Sequence, residues 1–370
     1  RRRMKKKIML VFGTRPEAIK MCPLVLELKK NKNFNVKVCV TGQHKQMLEQ
    51  VLKAFKVKPD YDLQIMKERQ TLADVTNAIL SEKFRDILQK EKPDVVLVHG
   101  DTTTTFAAAL QCFYLGIKVG HVEAGLRTYN IHSPFPEEFN RQAVSIISEF
   151  NFAPTEGAKA NLIREGKDKR TIFVTGNTAI DALKTTVVKD YKNEIFDWLG
   201  SDRLILLTAH RRENLGRPME HMFKAINRIV NEFKDIKVVY PIHLNPVVRE
   251  TANKIFKNNE RVRLIEPLEV LDFHNFMSKA YLILTDSGGI QEEAPSLGVP
   301  VLVMRDTTER PEGIKAGTLK LVGTDEEKIY KEFKTLITNK KKYLKMHKAS
   351  NPYGDGHACE RISKILEERL

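Results

Sequence analysis

Residues able to do chemistry gather at a few points of this chain, and the densest is Thr285-Asp286-Ser287-Gly288-Gly289-Ile290-Gln291-Glu292-Glu293-Ala294-Pro295. An apolar, strand-like run over 281–284 precedes it, and acidic residues open a helix pattern after it. Two glycines at a helix start let backbone N–H groups close on a phosphate, which the helix dipole also favours. In the first turn, Glu292 and Glu293 can accept hydrogen bonds from sugar hydroxyls. Phosphate donors beside diol acceptors describe a nucleotide site. An ordinary glycine-containing strand-to-helix turn has the same composition. What separates the two readings is Arg305-Asp306-Thr307-Thr308-Glu309-Arg310-Pro311, a second polar, arginine-bearing loop after the next strand.

Other polar clusters repeat this placement. Gly13-Thr14-Arg15-Pro16-Glu17, Gly100-Asp101-Thr102-Thr103-Thr104 and Glu123-Ala124-Gly125-Leu126-Arg127 each follow an apolar run, and Pro136-Glu137-Glu138-Phe139-Asn140-Arg141 opens a helix. The second half adds His210-Arg211-Arg212-Glu213-Asn214 and His243-Leu244-Asn245-Pro246. Open parallel sheets bind ligands beyond the carboxyl ends of their strands, which is where these clusters fall. Facing sheets would put all of them around one cleft.

The elements that must hold these residues alternate between short Val/Ile/Leu-rich runs and longer amphipathic ones, the pattern of strand-helix-strand units. Strands are expected at 7–12, 35–41, 94–99, 118–122, 150–153 and 171–174, with helices such as 17–30, 45–55 and 104–115 between them. A polar connector over 177–200 leads to strands at 203–208, 236–241, 262–265, 281–284 and 299–304. The fold class is therefore α/β, with two Rossmann-like doubly wound domains carrying sheets of about six strands each. The domains are placed at 4–178 and 179–350, with a closing helix in 351–370 packing back on the first. Neither half carries GxGxxG, which weighs against a dinucleotide-dependent dehydrogenase.

A chain of 370 residues suits two domains with full cores. No apolar run reaches the roughly 18 residues of a membrane span, and no signal-peptide pattern appears. Cys22, Cys39, Cys112 and Cys359 lack metal-ligand spacing and read as reduced thiols of a cytoplasmic protein. Arg1-Arg2-Arg3, ahead of Met4, are set aside. Net charge is +15, but lysines such as Lys29-Lys30 and Lys340-Lys341-Lys342 are spread over surface segments without interleaved aromatics. That is a solvated face, and nucleic acid is not an expected partner.

Six motifs in order, Gly13-Thr14-Arg15-Pro16-Glu17-Ala18-Ile19-Lys20, His99-Gly100-Asp101-Thr102, His121-Val122-Glu123-Ala124-Gly125-Leu126-Arg127, Pro136-Glu137-Glu138, His210-Arg211-Arg212-Glu213-Asn214 and the 287–311 run, resemble those of the non-hydrolysing UDP-N-acetylglucosamine 2-epimerases. The resemblance runs from about Lys7 to the C-terminus. It implies a glycosyltransferase-B architecture and interconversion of UDP-N-acetylglucosamine (UDP-GlcNAc) with UDP-N-acetylmannosamine (UDP-ManNAc), which feeds cell-surface polysaccharide or glycan synthesis. It also implies a homodimer; with no metal-ligand spacing and no dinucleotide fingerprint in the sequence, no metal or cofactor is expected. The route it implies is elimination of UDP across C1–C2 to 2-acetamidoglucal, then re-addition. That chemistry needs a base at C2, an acid to return the proton, and a cationic cradle for departing UDP.

By resemblance, Asp101, Glu123 and Glu137 are the catalytic carboxylates and His210 the histidine at the leaving pyrophosphate. A cap or salt bridge is the alternative for each carboxylate, and Glu137 with Arg141 has the i,i+4 spacing of an ion pair. Arg15, Lys20, Arg141, His243, Phe273, Ser287, Gly288, Gly289, Glu293 and Arg310 are the implied substrate contacts. Among them Glu293 would take the ribose and Phe273 the uracil, while Lys20 equally suits a solvated helix face, Phe273 the core, and His243 a cap. Gln43, Gln46, Arg69 and Arg211 match positions where family members bind a second UDP-GlcNAc as activator, although the 43–47 segment also reads as a simple helix start. A glycosyltransferase of the same architecture, a hydrolysing epimerase releasing ManNAc and UDP, and a nucleotide-sugar sensor are the competing functions.

Overall fold

The computed structural model describes residues 4–42, 45–308 and 310–370, with the backbone alone at Lys45. It divides into two compact units: residues up to Thr185 with Gly354–Leu370, and Thr186–Tyr353. Each is a parallel sheet covered by helices on both faces.

In the first unit the strands are β1 Lys6–Phe12, β2 Phe34–Val40, β3 Tyr61–Asp62, β4 Val95–His99, β5 Lys118–Val122, β6 Phe150–Ala153 and β7 Ile172–Val174. They pair in the order β3-β2-β1-β4-β5-β6-β7, every pairing parallel. The sheet has seven strands where about six were expected, because β3 is a two-residue strand too short to leave an apolar run. All five residues of β4 are buried, as a central strand with both faces covered requires. The helix expected from residue 17 begins at Arg15: Thr14 caps it in a capping box with Glu17, and Pro16 sits where its missing N–H costs nothing. The helix Ala358–Arg369 packs on Arg15–Lys30, and its first amides, of Ala358 and Cys359, donate to the buried Asp181 carboxylate.

The second unit contains β8 Arg203–Thr208, β9 Ile236–Pro241, β10 Val262–Ile265, β11 Leu282–Thr285, β12 Val301–Val303 and β13 Leu319–Leu321. Their order is β10-β9-β8-β11-β12-β13, again all parallel. Strand periodicity splits the core in two. Ile205, Leu207, Val238, Tyr240 and Leu284 face one layer, and Leu204, Leu206, Val239, Ile283 and Val303 face the other. Each such side chain stabilises the fold by about 1.5–3 kcal/mol relative to exposure. The expected connector over 177–200 is not structureless: helices Thr178–Thr186 and Glu194–Leu199 lie within it. No helix among the described residues is long and apolar enough to cross a membrane.

Candidate active site

In both units the strand order reverses once, between β1 and β4 and between β8 and β11, and this is where an open α/β sheet leaves a crevice at its carboxyl edge. The candidate residues of each unit cluster at that point.

In the first unit, β1 ends in Gly13-Thr14 and β4 in Gly100-Asp101-Thr102. Buried Glu17 ties the two loops together, accepting from the Gly13 and Thr14 amides at 2.8 Å each and from the Thr102 hydroxyl. Gly13 needs its bare Cα, since a Cβ there would stand 1.9 Å from Thr41 Oγ1. Glu123, just past β5, has φ +66°, a left-handed conformation costing a non-glycine residue about 1–2 kcal/mol. That turn aims its carboxylate at four neighbours. Oε1 accepts from Arg141 Nη2 at 2.8 Å. Oε2 accepts from Lys20 Nζ at 2.8 Å and Asn177 Nδ2 at 3.2 Å, with His99 Nε2 at 3.5 Å. Burial alone would raise this carboxyl's pKa, but Lys20, His99 and Arg141 outweigh it and hold the group well below the usual carboxylate range.

Arg141 is the hub. Its guanidinium reaches Asp101 Oδ2 at 3.1 Å, Glu123 Oε1, and the Glu123 carbonyl at 2.7 Å. Asn140, its neighbour, donates to the Asp101 carbonyl at 2.8 Å. The i,i+4 ion pair expected between Glu137 and Arg141 is therefore not formed, because two carboxylates beneath the helix take the guanidinium instead. Glu137 begins that helix, Glu137–Ile147, and its Oε2 is buried without a hydrogen-bond partner among the described residues. Below the loops, His121 Nε2–H donates to the Gly100 carbonyl at 2.7 Å. Burial pushes the His121 pKa down to about 3, so the ring is neutral.

In the second unit, Asp286 organises the equivalent point. Fully buried at the end of β11, it accepts from the His210 and Arg211 amides, both at 3.1 Å on Oδ2, and from Asn214 Nδ2 at 3.0 Å. This anchors the His210 loop across the sheet, and the Thr208 and Thr285 hydroxyls pair at 2.6 Å one step below. The His210 ring is half exposed and stacks on His243, centroids 5.6 Å apart. His243 Nδ1 also accepts from the Asn245 amide at 3.1 Å, so the ring caps its own turn. Ser287 N–H donates to Thr285 Oγ1 at 2.9 Å. Gly289 opens on space: an added Cβ would meet nothing within 4 Å. The helix expected here is one turn, Ile290–Glu293, followed by a 3-10 turn through Leu297.

The two glutamates of that turn differ. Glu292 is spent on Arg310 Nε at 2.9 Å. Glu293 pairs with His274 Nε2 at 2.9 Å and keeps its other oxygen unpartnered among the described residues. Gln291 joins the polar loops, donating to the Ser287 carbonyl at 3.2 Å and accepting from Thr308 at 2.7 Å. Phe273 is partly buried against the core.

The structure thus gathers Lys20, Asp101, Glu123 and Arg141 in the first unit, with Arg15 and Glu137 at the starts of the helices that carry Lys20 and Arg141. It gathers His210, His243, Ser287, Gly288, Gly289, Glu293 and Arg310 in the second, on loops tied together by Asp286 and Gln291. Gln46 and Arg69 are exposed, and Arg69 has a left-handed φ of +55°. Arg211 pairs with Glu213 at 2.7 Å. Gln43 lies outside the described residues. Sequence reasoning assigned no role to Glu17, His99, His121, Asn177, His274 or Asp286. Each is a polar residue at a strand end or on a packed helix face, and that placement was the available signal.

A family model described as UDP-N-acetylglucosamine 2-epimerase matches residues 26–367. The UDP-N-acetylglucosamine 2-epimerase of Bacillus subtilis (strain 168) is 67% identical over 367 residues, covering 98% of this chain and 96% of that one. A crystal structure of UDP-N-acetylglucosamine 2-epimerase, 63% identical, matches with a TM-score of 0.93 over 98% of this chain and 95% of that one. The UDP-GlcNAc 2-epimerase of Neisseria meningitidis, solved bound to UDP-GlcNAc, is 48% identical with a TM-score of 0.92, covering 98% of this chain and all of the other.

Proposed function

The chain belongs to the UDP-N-acetylglucosamine 2-epimerase family, and we propose that it interconverts UDP-GlcNAc and UDP-ManNAc without hydrolysing them, supplying UDP-ManNAc for glycan synthesis. In the forward direction a base takes the C2 proton as the C1–O bond breaks, its electron pair leaving with UDP, and a C1=C2 double bond forms. In return, an acid delivers a proton to the opposite face of C2 while the UDP oxygen bonds C1. Protons and electrons balance, and no oxidant is needed.

The observation that carries the reading is the unequal state of the three carboxylates. Both oxygens of Glu123 are occupied by cations and an amide, so it serves as a fixed negative charge ordering Lys20 and Arg141. Asp101 offers a third-exposed carboxylate with one oxygen on Arg141, and Glu137 has a buried oxygen in want of a donor. Proton traffic at the two faces of C2 falls to Asp101 and Glu137. An unpartnered buried acceptor is costly until a donor arrives, and an incoming hydroxyl or C–H proton supplies one. On the nucleotide side, Ser287, Gly288 and Gly289 receive the diphosphate, Glu293 the ribose and Phe273 the uracil. His210, His243, Arg310 and Arg15 stabilise the leaving charge.

Incubation with UDP-GlcNAc in heavy water tests this directly. Deuterium at C2 of intact UDP-GlcNAc and UDP-ManNAc is expected. Unlabelled nucleotide sugar overturns the proposal, and free ManNAc with UDP points instead to the hydrolysing reaction.

A further inference from the structure

One buried polar chain in the second unit lies outside the roles assigned so far. His274, on the helix Val270–Lys279, is 3% exposed. Its Nε2 is 2.9 Å from Glu293 Oε2 and its Nδ1 is 2.8 Å from Thr186 Oγ1. The ring is thus held between the Thr186 hydroxyl and the Glu293 carboxylate, the latter at ion-pair distance. The Thr186 segment is itself pinned, because Asn275 donates to the Thr186 carbonyl at 2.8 Å and accepts from the Val188 amide at 2.9 Å. Glu293 sits on a single helical turn, where its own backbone gives it little orientation. With Oε2 tethered, its other oxygen is presented in one direction, and its side chain is about a fifth exposed.

We propose that His274 is a positioning residue that orients Glu293 to read the ribose hydroxyls, so that the site discriminates ribonucleotides from 2′-deoxyribonucleotides. This rests on the nucleotide reading above and adds a specificity determinant to it. A carboxylate recognises a cis-diol well only when both hydrogen bonds are near linear, and a freely rotating one spends much of its time elsewhere. An analogue lacking the 2′-hydroxyl leaves a positioned acceptor unsatisfied, whereas a mobile acceptor finds water. The histidine is therefore felt in the ratio of two affinities rather than in either alone.

Calorimetric titration of the full chain with UDP and with 2′-deoxy-UDP tests this on wild type, His274→Leu, His274→Gln and Thr186→Val. Wild type is expected to prefer UDP by about tenfold, the scale of one charge-assisted hydrogen bond. In His274→Leu that preference should vanish while 2′-deoxy-UDP affinity is retained, and His274→Gln, which keeps an N–H donor, should restore part of it. Thr186→Val removes the ring's other anchor with little change of volume, and should lower the preference by roughly threefold. Should His274→Leu fail to fold, His274→Gln and Thr186→Val decide the matter, and unchanged preference in both overturns the proposal. Parallel loss of both ligands also overturns it, since that is what a merely structural histidine does, as does a wild type indifferent to the 2′-hydroxyl. A wild type that binds neither ligand removes the nucleotide reading itself.

Discussion

At the scale of single residues, Glu137 and His121 make opposite predictions. Among the described residues Glu137 makes none of the ion pairs of the cluster, and its buried Oε2 has no hydrogen-bond partner. Glu137→Gln should therefore fold normally and bind UDP as the wild type does, while steady-state turnover falls by about 100-fold or more, as for removal of a positioned acid or base. Near-normal turnover would refute its role. His121 supports structure and is neutral in the fold, its pKa pushed down from 6.5 to about 3 chiefly by burial. The unfolded chain binds the proton first, so this group's contribution is intact above pH 6.5 and is lost as pH falls from 6.5 towards 3. Between pH 7 and pH 5 that loss is about 2 kcal/mol. Urea unfolding at the two pH values should show His121→Gln, which retains an N–H for the Gly100 carbonyl, losing less stability than wild type. An identical loss in both proteins rules out His121 as the source.

At the scale of elements, the legible parts of the fold are those that leave a long signal. β1, β4, β8 and β9 are buried on both faces and read as continuous apolar runs, so their position and parallel pairing followed from the sequence. β3 and β13, of two and three residues, exist because a neighbour supplies their hydrogen bonds, and no local pattern marks them. Helix starts moved by a residue or two for the same reason: Thr14 and Thr102 accept from amides three residues on, a geometry that only the folded turn reveals. The site divides similarly. The carboxylates, the glycines and His210 were legible because they crowd after strands. Their supporting residues were not, because Asp286 holds the His210 loop across 76 residues of chain and Arg141 reaches Asp101 across 40. Spacing along the chain suggested an Arg141–Glu137 pair, yet two carboxylates brought in by separate strands offered the guanidinium better partners.

At the scale of the whole molecule, the residues expected to hold an activator are shared out between the two units. Gln46 and Arg69 belong to the first unit and Arg211 to the second. Arg69 is exposed and keeps a left-handed backbone, a strained conformation for a residue with a side chain. If these residues receive a second UDP-GlcNAc, as expected from the sequence, its binding and catalysis are coupled, each favouring the other. The reverse reaction separates this from simple catalysis, because UDP-ManNAc alone provides substrate but no UDP-GlcNAc. Its time course should begin with a lag that shortens as UDP-GlcNAc accumulates and disappears when a trace is added at the start. Arg69→Ala should raise the UDP-GlcNAc concentration needed to abolish the lag, with calorimetric UDP affinity unchanged. Hyperbolic, lag-free conversion of UDP-ManNAc by the wild type would remove the second site.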